Sequence, residues 1–223
     1  MKKLLTFAAA TVAASLASVT AHATVLDFVA EAAGAERGIE SGSTITNFQG
    51  TGVDVTFTAG SGDWFPYFDD LSNGKPAGLG VCKELKGDIG GPGDDGASDD
   101  CNPSSDDNVS IEEYIELAFG GADFAIRSIT FYDADHNVLG VPGNDGMVAL
   151  SLDGGLAVMM LFSEVIADAK AGLLAAASVI NLAYVDTQFY IGAISDVPVP
   201  AALPLLLSGL AGLGFASRRR KAV

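Results

Sequence analysis

Phe124-Ala125-Ile126-Arg127-Ser128-Ile129-Thr130-Phe131-Tyr132 is the stretch that decides the fold class. β-branched and aromatic residues dominate it, and such side chains fit a pleated, half-buried surface. It reads as the strongest strand in the chain. Shorter segments of the same kind surround it. Val53-Asp54-Val55-Thr56-Phe57-Thr58 alternates, with Val53, Val55 and Phe57 on one face. Thr24 to Val29, Thr44 to Phe48, Ile111 to Phe119, Val179 to Val185 and Gln188 to Ile194 also read as strands. In Ile111 to Phe119 the inward positions include Ile111, Ile115 and Leu117, with Glu116 outward. Met147 to Leu152 and Leu156 to Phe162 flank Asp153-Gly154-Gly155, a hairpin signal. Only Glu164 to Ala177 leans helical. Many short strands separated by Gly and Asp turns predict a mainly β protein. Its expected form is a single antiparallel β-sandwich, jelly-roll-like, with one buried face per sheet.

Gly87 to Asn108 differs in kind. Gly, Asp, Ser and Pro fill it and apolar residues are almost absent, so it is expected to be a surface loop. Cys82 and Cys101 bracket most of it, and an even cysteine count in an exported chain predicts one disulfide. Three Asp pairs follow one another here: Asp94 and Asp95, Asp99 and Asp100, Asp106 and Asp107. Asn108 and Glu112 come next, followed by Glu113. Calcium takes six to eight oxygen ligands. Asp94, Asp95, Asp99, Asp100, Asp106, Asp107, Asn108 and Glu112 are therefore the candidate ligands for Ca²⁺. A solvated acidic loop that keeps the protein soluble is the competing reading. The spacing does not match an EF-hand. Asp133-Ala134-Asp135-His136-Asn137 has the first half of a calcium loop but lacks the closing Glu, so a turn is the better reading.

Trp64 heads an aromatic cluster with Phe65, Tyr67 and Phe68 beside Asp63, Asp69 and Asp70. It is the candidate for stacking on a sugar, against the reading that the cluster plugs the core. No catalytic residues stand out. His136 is the one histidine after residue 23, and no G-x-S-x-G elbow or zinc-ligand set occurs. Acids suitable for a glycosidase are abundant, but no pair is singled out. The expectation is a non-enzymatic protein.

Both ends carry addresses. Lys2 and Lys3 precede an apolar stretch, and Ala21-His22-Ala23 gives the small-x-small exit that a signal peptidase accepts. Residues 1–23 thus read as a signal peptide, cleaved after Ala23. At the other end, Ala201 to Ala216 is uncharged and is followed by Ser217 and then Arg218, Arg219, Arg220 and Lys221. As a helix it would reach roughly 24 Å, enough for a thin inner membrane with its flanks. The cations would stay cytoplasmic, leaving the domain outside.

Val197-Pro198-Val199-Pro200-Ala201, the apolar span and the basic end together resemble the PEP-CTERM sorting tail in its VPxPA variant. The resemblance is confined to 197–223. Val199-Pro200 departs from the commoner Leu-Pro or Glu-Pro of that family. The resemblance implies a transmembrane sorting helix, processing by an exosortase near Pro200, an inner-membrane-tethered precursor, then a cell-surface or extracellular destination. It also implies an association with exopolysaccharide. Two alternatives remain open: a Ca-dependent carbohydrate-binding module and a polysaccharide hydrolase.

The expected domain is 24–196. Of 12 Lys and Arg, six lie in the two ends, so this domain holds 6 cations against 28 acids, a formal charge of −22. Nucleic acid is thereby excluded as a default partner.

Overall fold

The computed structural model describes residues 24–60, 63–70, 74–86, 100–120 and 123–197. The expected signal peptide with Ala21 and Ala23, most of the acidic loop, and the tail beyond Val197 lie outside the described residues. Among the described residues no helix is long and apolar enough to cross a membrane.

The elements run β1 (Val25–Asp27), α1 (Phe28–Ala32), β2 (Arg37–Gly38), β3 (Ser43–Ile45), β4 (Val55–Ala59), β5 (Phe65–Asp69), β6 (Gly78–Cys82) and β7 (Tyr114–Phe119). They continue with β8 (Ser128–Asp133), β9 (Met147–Leu152), β10 (Val158–Leu161), α2 (Phe162–Ala171), β11 (Val179–Tyr184) and β12 (Phe189–Ser195). The strands pair antiparallel in two six-stranded sheets. The first has the order β1-β12-β6-β5-β2, with β8 also on β12. The second has the order β10-β9-β11-β7-β4-β3. Since β8 pairs along β12 from Phe189 to Ser195, β1 and β6 share the other edge of that strand.

One core joins the sheets. Leu26, Phe68, Leu79, Phe131 and Ile191 of the first sheet cluster with Val55, Phe57, Ile115, Val148 and Leu182 of the second. The rings of Phe57 and Phe68 meet edge-on across the interface, 5.4 Å apart. The molecule is mainly β, with two antiparallel sheets in an arrangement compatible with a β-sandwich. Phe162, on α2, closes one end of the core against Phe131 and Phe189. The first described residue meets the far end of β12: Thr24 N donates to Asp196 Oδ1 at 2.8 Å.

The two sheets differ in burial. In the second, β4 and β7 alternate strictly between buried and half-buried residues. In the first, all of β6 is buried, as are four of the five residues of β5. The cause is a second layer. Tyr67 on β5 packs with Cys82 and Cys101 in a separate small cluster, and the Cys82–Cys101 disulfide holds the returning chain over that face.

Several expected boundaries move. The first strand stops at Asp27, whose carboxylate accepts from Ala30 N at 3.0 Å and caps α1. Ile111 is not an inward strand residue. It is 64% exposed in a turn in which Glu113 N donates to Ser110 O, and regular pairing starts at Tyr114. In the opening stretch, ladder pairing begins only at Ser128, while Phe124 makes a lone bridge with Ala177. Of the aromatic cluster, Phe65, Tyr67 and Phe68 lie in strand β5 and Trp64 just before it. The helix starts at Phe162 and ends at Gly172, whose φ of 71° suits a residue without a Cβ. The end of the expected surface loop is buried: Asp107 is 7% exposed and Asn108 3%.

Candidate functional site

The buried end of that loop forms one wall of a pocket of about 440 Å³. Five separate segments build it. Glu36 comes from the connection between α1 and β2, and Asp69 is the last residue of β5. Asp107 and Asn108 come from the chain returning from Cys101, and His136 from the turn after β8. Tyr190 sits at the start of β12.

Local chemistry sets each in place. Phe189 and Ile191 point into the core, so alternation turns Tyr190 to the opposite face of the sheet. Its hydroxyl donates to Asp107 Oδ1. Val109 exchanges backbone hydrogen bonds with Phe189 at 2.8 and 3.1 Å, docking the loop onto β12. Gly80 allows the approach: a Cβ there would lie 2.0 Å from Asp107 O and 2.8 Å from Asn108 Cα. Glu36 is held by Tyr67, which donates to Oε1 at 2.5 Å while accepting from Cys101 N at 3.1 Å. The disulfide segment therefore sits directly behind a pocket carboxylate. His136 has φ 60° in a turn organised by Asp133, whose Oδ1 accepts from the amides of Asp135 and Asn137. Its Nε2 lies 3.4 Å from Asp69 Oδ2, and its ring meets that of Tyr190 edge-on at 5.2 Å.

The electrostatics are unusual for so acidic a group. Glu36, Asp69 and Asp107 each place one carboxylate oxygen within 4.8 Å of the others. Burial pushes Asp69 up to about 8, with the neighbouring Asp107 and Glu36 adding to the rise. Burial also raises Asp107, opposed by the Tyr190 hydrogen bond. Burial, together with the adjacent acids, pushes the Tyr67 and Tyr190 hydroxyls far up, so both stay neutral donors. Asp69 Oδ2 and Asn108 Oδ1 are buried and, among the described residues, have no hydrogen-bond partner.

Of the calcium ligands expected from sequence, Asp107 and Asn108 line this pocket. Asp94, Asp95 and Asp99 lie outside the described residues. Asp100 pairs with Lys86 at 3.1 Å, and Asp106 approaches Lys83 at 3.4 Å. Glu112 is exposed in the turn before β7. Trp64 lies away from the pocket. It is half-buried against the core, packs on Gly60, and carries Lys83 Nζ 5.2 Å from its ring centroid. Of the expected sorting motif only Val197 is described, and its amide donates to Ser195 Oγ. Glu36, Asp69 and Tyr190 were not expected at a site. The available signal was an acid closing an aromatic strand, Phe65 to Asp69.

No protein-family model, curated protein or solved structure matches the chain.

Proposed function

We propose that this chain is an exported cell-surface or matrix protein whose jelly-roll-like domain contacts extracellular polysaccharide without chemically altering it. A signal peptidase and an exosortase would process its two ends, with the inner membrane holding the precursor. The observation that carries the ligand-binding part is the pocket. Carboxylates and an amide oxygen offer hydrogen-bond acceptors, Ser104, Ser105 and Gln188 add hydroxyls and an amide, and the His136–Tyr190 pair supplies an aromatic wall. Sugars present this combination of hydroxyls and C–H faces. The sorting part rests on the tail sequence, 197–223.

Two experiments test the two parts. Calorimetry of the full chain with purified exopolysaccharide is expected to show binding that Tyr190→Ala weakens at least tenfold; no heat with any glycan rejects the ligand reading. Deleting residues 197–223 is expected to abolish membrane retention and C-terminal processing. Unchanged retention rejects the sorting reading.

The Asp69–Asp107 pair favours one second reading. A carboxyl group that keeps its proton near neutral pH, beside another acid, is the arrangement of a glycosidase. Release of reducing ends from the same polysaccharide, lost in Asp69→Asn, would support hydrolysis. Its absence leaves binding as the function.

A further inference from the structure

We infer that the pocket binds one divalent cation of the oxygen-preferring class, Ca²⁺ by its donor set, through Glu36, Asp69, Asp107 and the side-chain oxygen of Asn108. The inference rests on the pocket alone and stands whether or not a polysaccharide reaches it.

Three carboxylate oxygens within 4.8 Å of one another form a site of concentrated negative charge. Among the described residues, no Lys or Arg lines the pocket to compensate it. Lys75, near the His136 turn, gives its ammonium to Asn137 Oδ1 and Asp135 O instead. Proximity of acids alone would not make a site. The second observation is the pair of unpartnered acceptors. Asn108 is 3% exposed and its Oδ1 has no hydrogen-bond partner; Asp69 is 6% exposed and its Oδ2 has none either. His136 Nε2, at 3.4 Å from that oxygen, lacks hydrogen-bond geometry. Buried acceptors are almost always satisfied, because leaving one unpaired is costly. Both stand on the walls of the same pocket, and a cation satisfies them together.

The donor set is all oxygen. Carboxylates and amide carbonyls suit Ca²⁺, whose six to eight ligands allow irregular geometry. Four side chains leave places for water or for hydroxyls of a bound ligand. The tyrosines fit as supports: each donates to one oxygen of a carboxylate and fixes its orientation, as outer partners do at metal sites. The site differs from an acidic-loop site. It takes only Asp107 and Asn108 from that segment, and draws Glu36 and Asp69 from elsewhere in the fold.

The test uses the full chain stripped with EDTA, titrated with CaCl₂ by calorimetry and with Tb³⁺ by tyrosine-sensitised emission. One ion per chain is expected, with an affinity roughly in the 10⁻⁴ to 10⁻³ M range of extracellular modules. Asp69→Asn and Asp107→Asn should each weaken binding at least tenfold, and Gly80→Ala should weaken it without removing a ligand. Asp100→Asn and Asp106→Asn should leave it unchanged. Melting curves in EDTA establish that each variant is folded, and if Asp107→Asn does not fold, Asp69→Asn and Gly80→Ala decide. Absence of Ca²⁺ and Tb³⁺ binding overturns the inference. So does wild-type affinity in Asp69→Asn, or loss of binding in an Asp94/Asp95/Asp99→Asn variant with the pocket intact.

Discussion

Glu113 and Asp69 are buried to a similar depth, 1% and 6% exposed, and they are treated in opposite ways. Glu113 receives Lys83 Nζ at 2.6 Å on one oxygen and Ser110 N at 2.5 Å on the other. Burial still raises its affinity for protons, but the ammonium and the amide pull it back. Asp69 has two acids for neighbours, and near its Oδ2 stands only the His136 ring nitrogen at 3.4 Å, in place of an ammonium at 2.6 Å. A buried acid satisfied from within the chain has a structural role. One left unsatisfied at a pocket wall is available to something from outside. Glu113 holds the turn before β7, while Asp69 is poised for a ligand.

The largest test breaks the satisfied acid. Lys83→Met strands a buried carboxylate and is expected to cost about 3 kcal/mol in urea denaturation, with most of it recovered in Lys83→Met/Glu113→Leu. A loss below about 1 kcal/mol would mean that Ser110 alone satisfies Glu113, and the contrast would weaken.

The next test reads the unsatisfied acid through pH. In EDTA, the Asp69 carboxyl stays protonated in the fold up to about 8, while in the unfolded chain it ionises near the ordinary value of 3.8. Raising pH across that window therefore favours unfolding, and stability should fall from about pH 4 to about pH 8 and then level off. Asp69→Asn should flatten this slope and exceed wild type at pH 8 by on the order of 2 kcal/mol. A wild-type profile rising over that window would contradict the assignment.

Tyr67→Phe removes a donor to Glu36 and an acceptor for Cys101 N, with an expected loss of about 1 kcal/mol. Lys86→Ala removes a half-exposed ion pair with Asp100 and should change thermal stability by less than about 0.5 kcal/mol. That small value calibrates the others, since it shows what an acid costs when water already solvates it.

How much of this was legible in the sequence depends on whether a strand is covered on one face or on both. β4, β9 and β11 bury one face, so the signal of period two was present, and the hairpin around Asp153-Gly154-Gly155 pairs Val158 with Leu150. β5 and β6 are covered on both faces and do not alternate. Pro66, Gly78 and Gly80 further dilute their strand character. Their burial is imposed by the disulfide-held layer, which depends on where the chain returns after Cys101. The disulfide itself was readable from a count. The pocket was half readable: Asp107 and Asn108 lie in an obviously acidic stretch. Glu36 and Asp69 reach it from segments far apart in sequence, and no local spacing encodes that meeting.

β12 has a consequence for presentation. Its Tyr190, with Gln188 just before the strand, lines the pocket, and its last residues lead through Asp196 to Val197, where the expected sorting tail begins. Five strand residues, Ile191 to Ser195, follow Tyr190 in β12, roughly 17 Å at the rise of a strand. The hydrogen bond from Thr24 N to Asp196 ties residue 24 to the end of this strand. The pocket and Val197 therefore lie toward opposite ends of one strand, and a pull applied at Val197 would run along the strand that carries Tyr190.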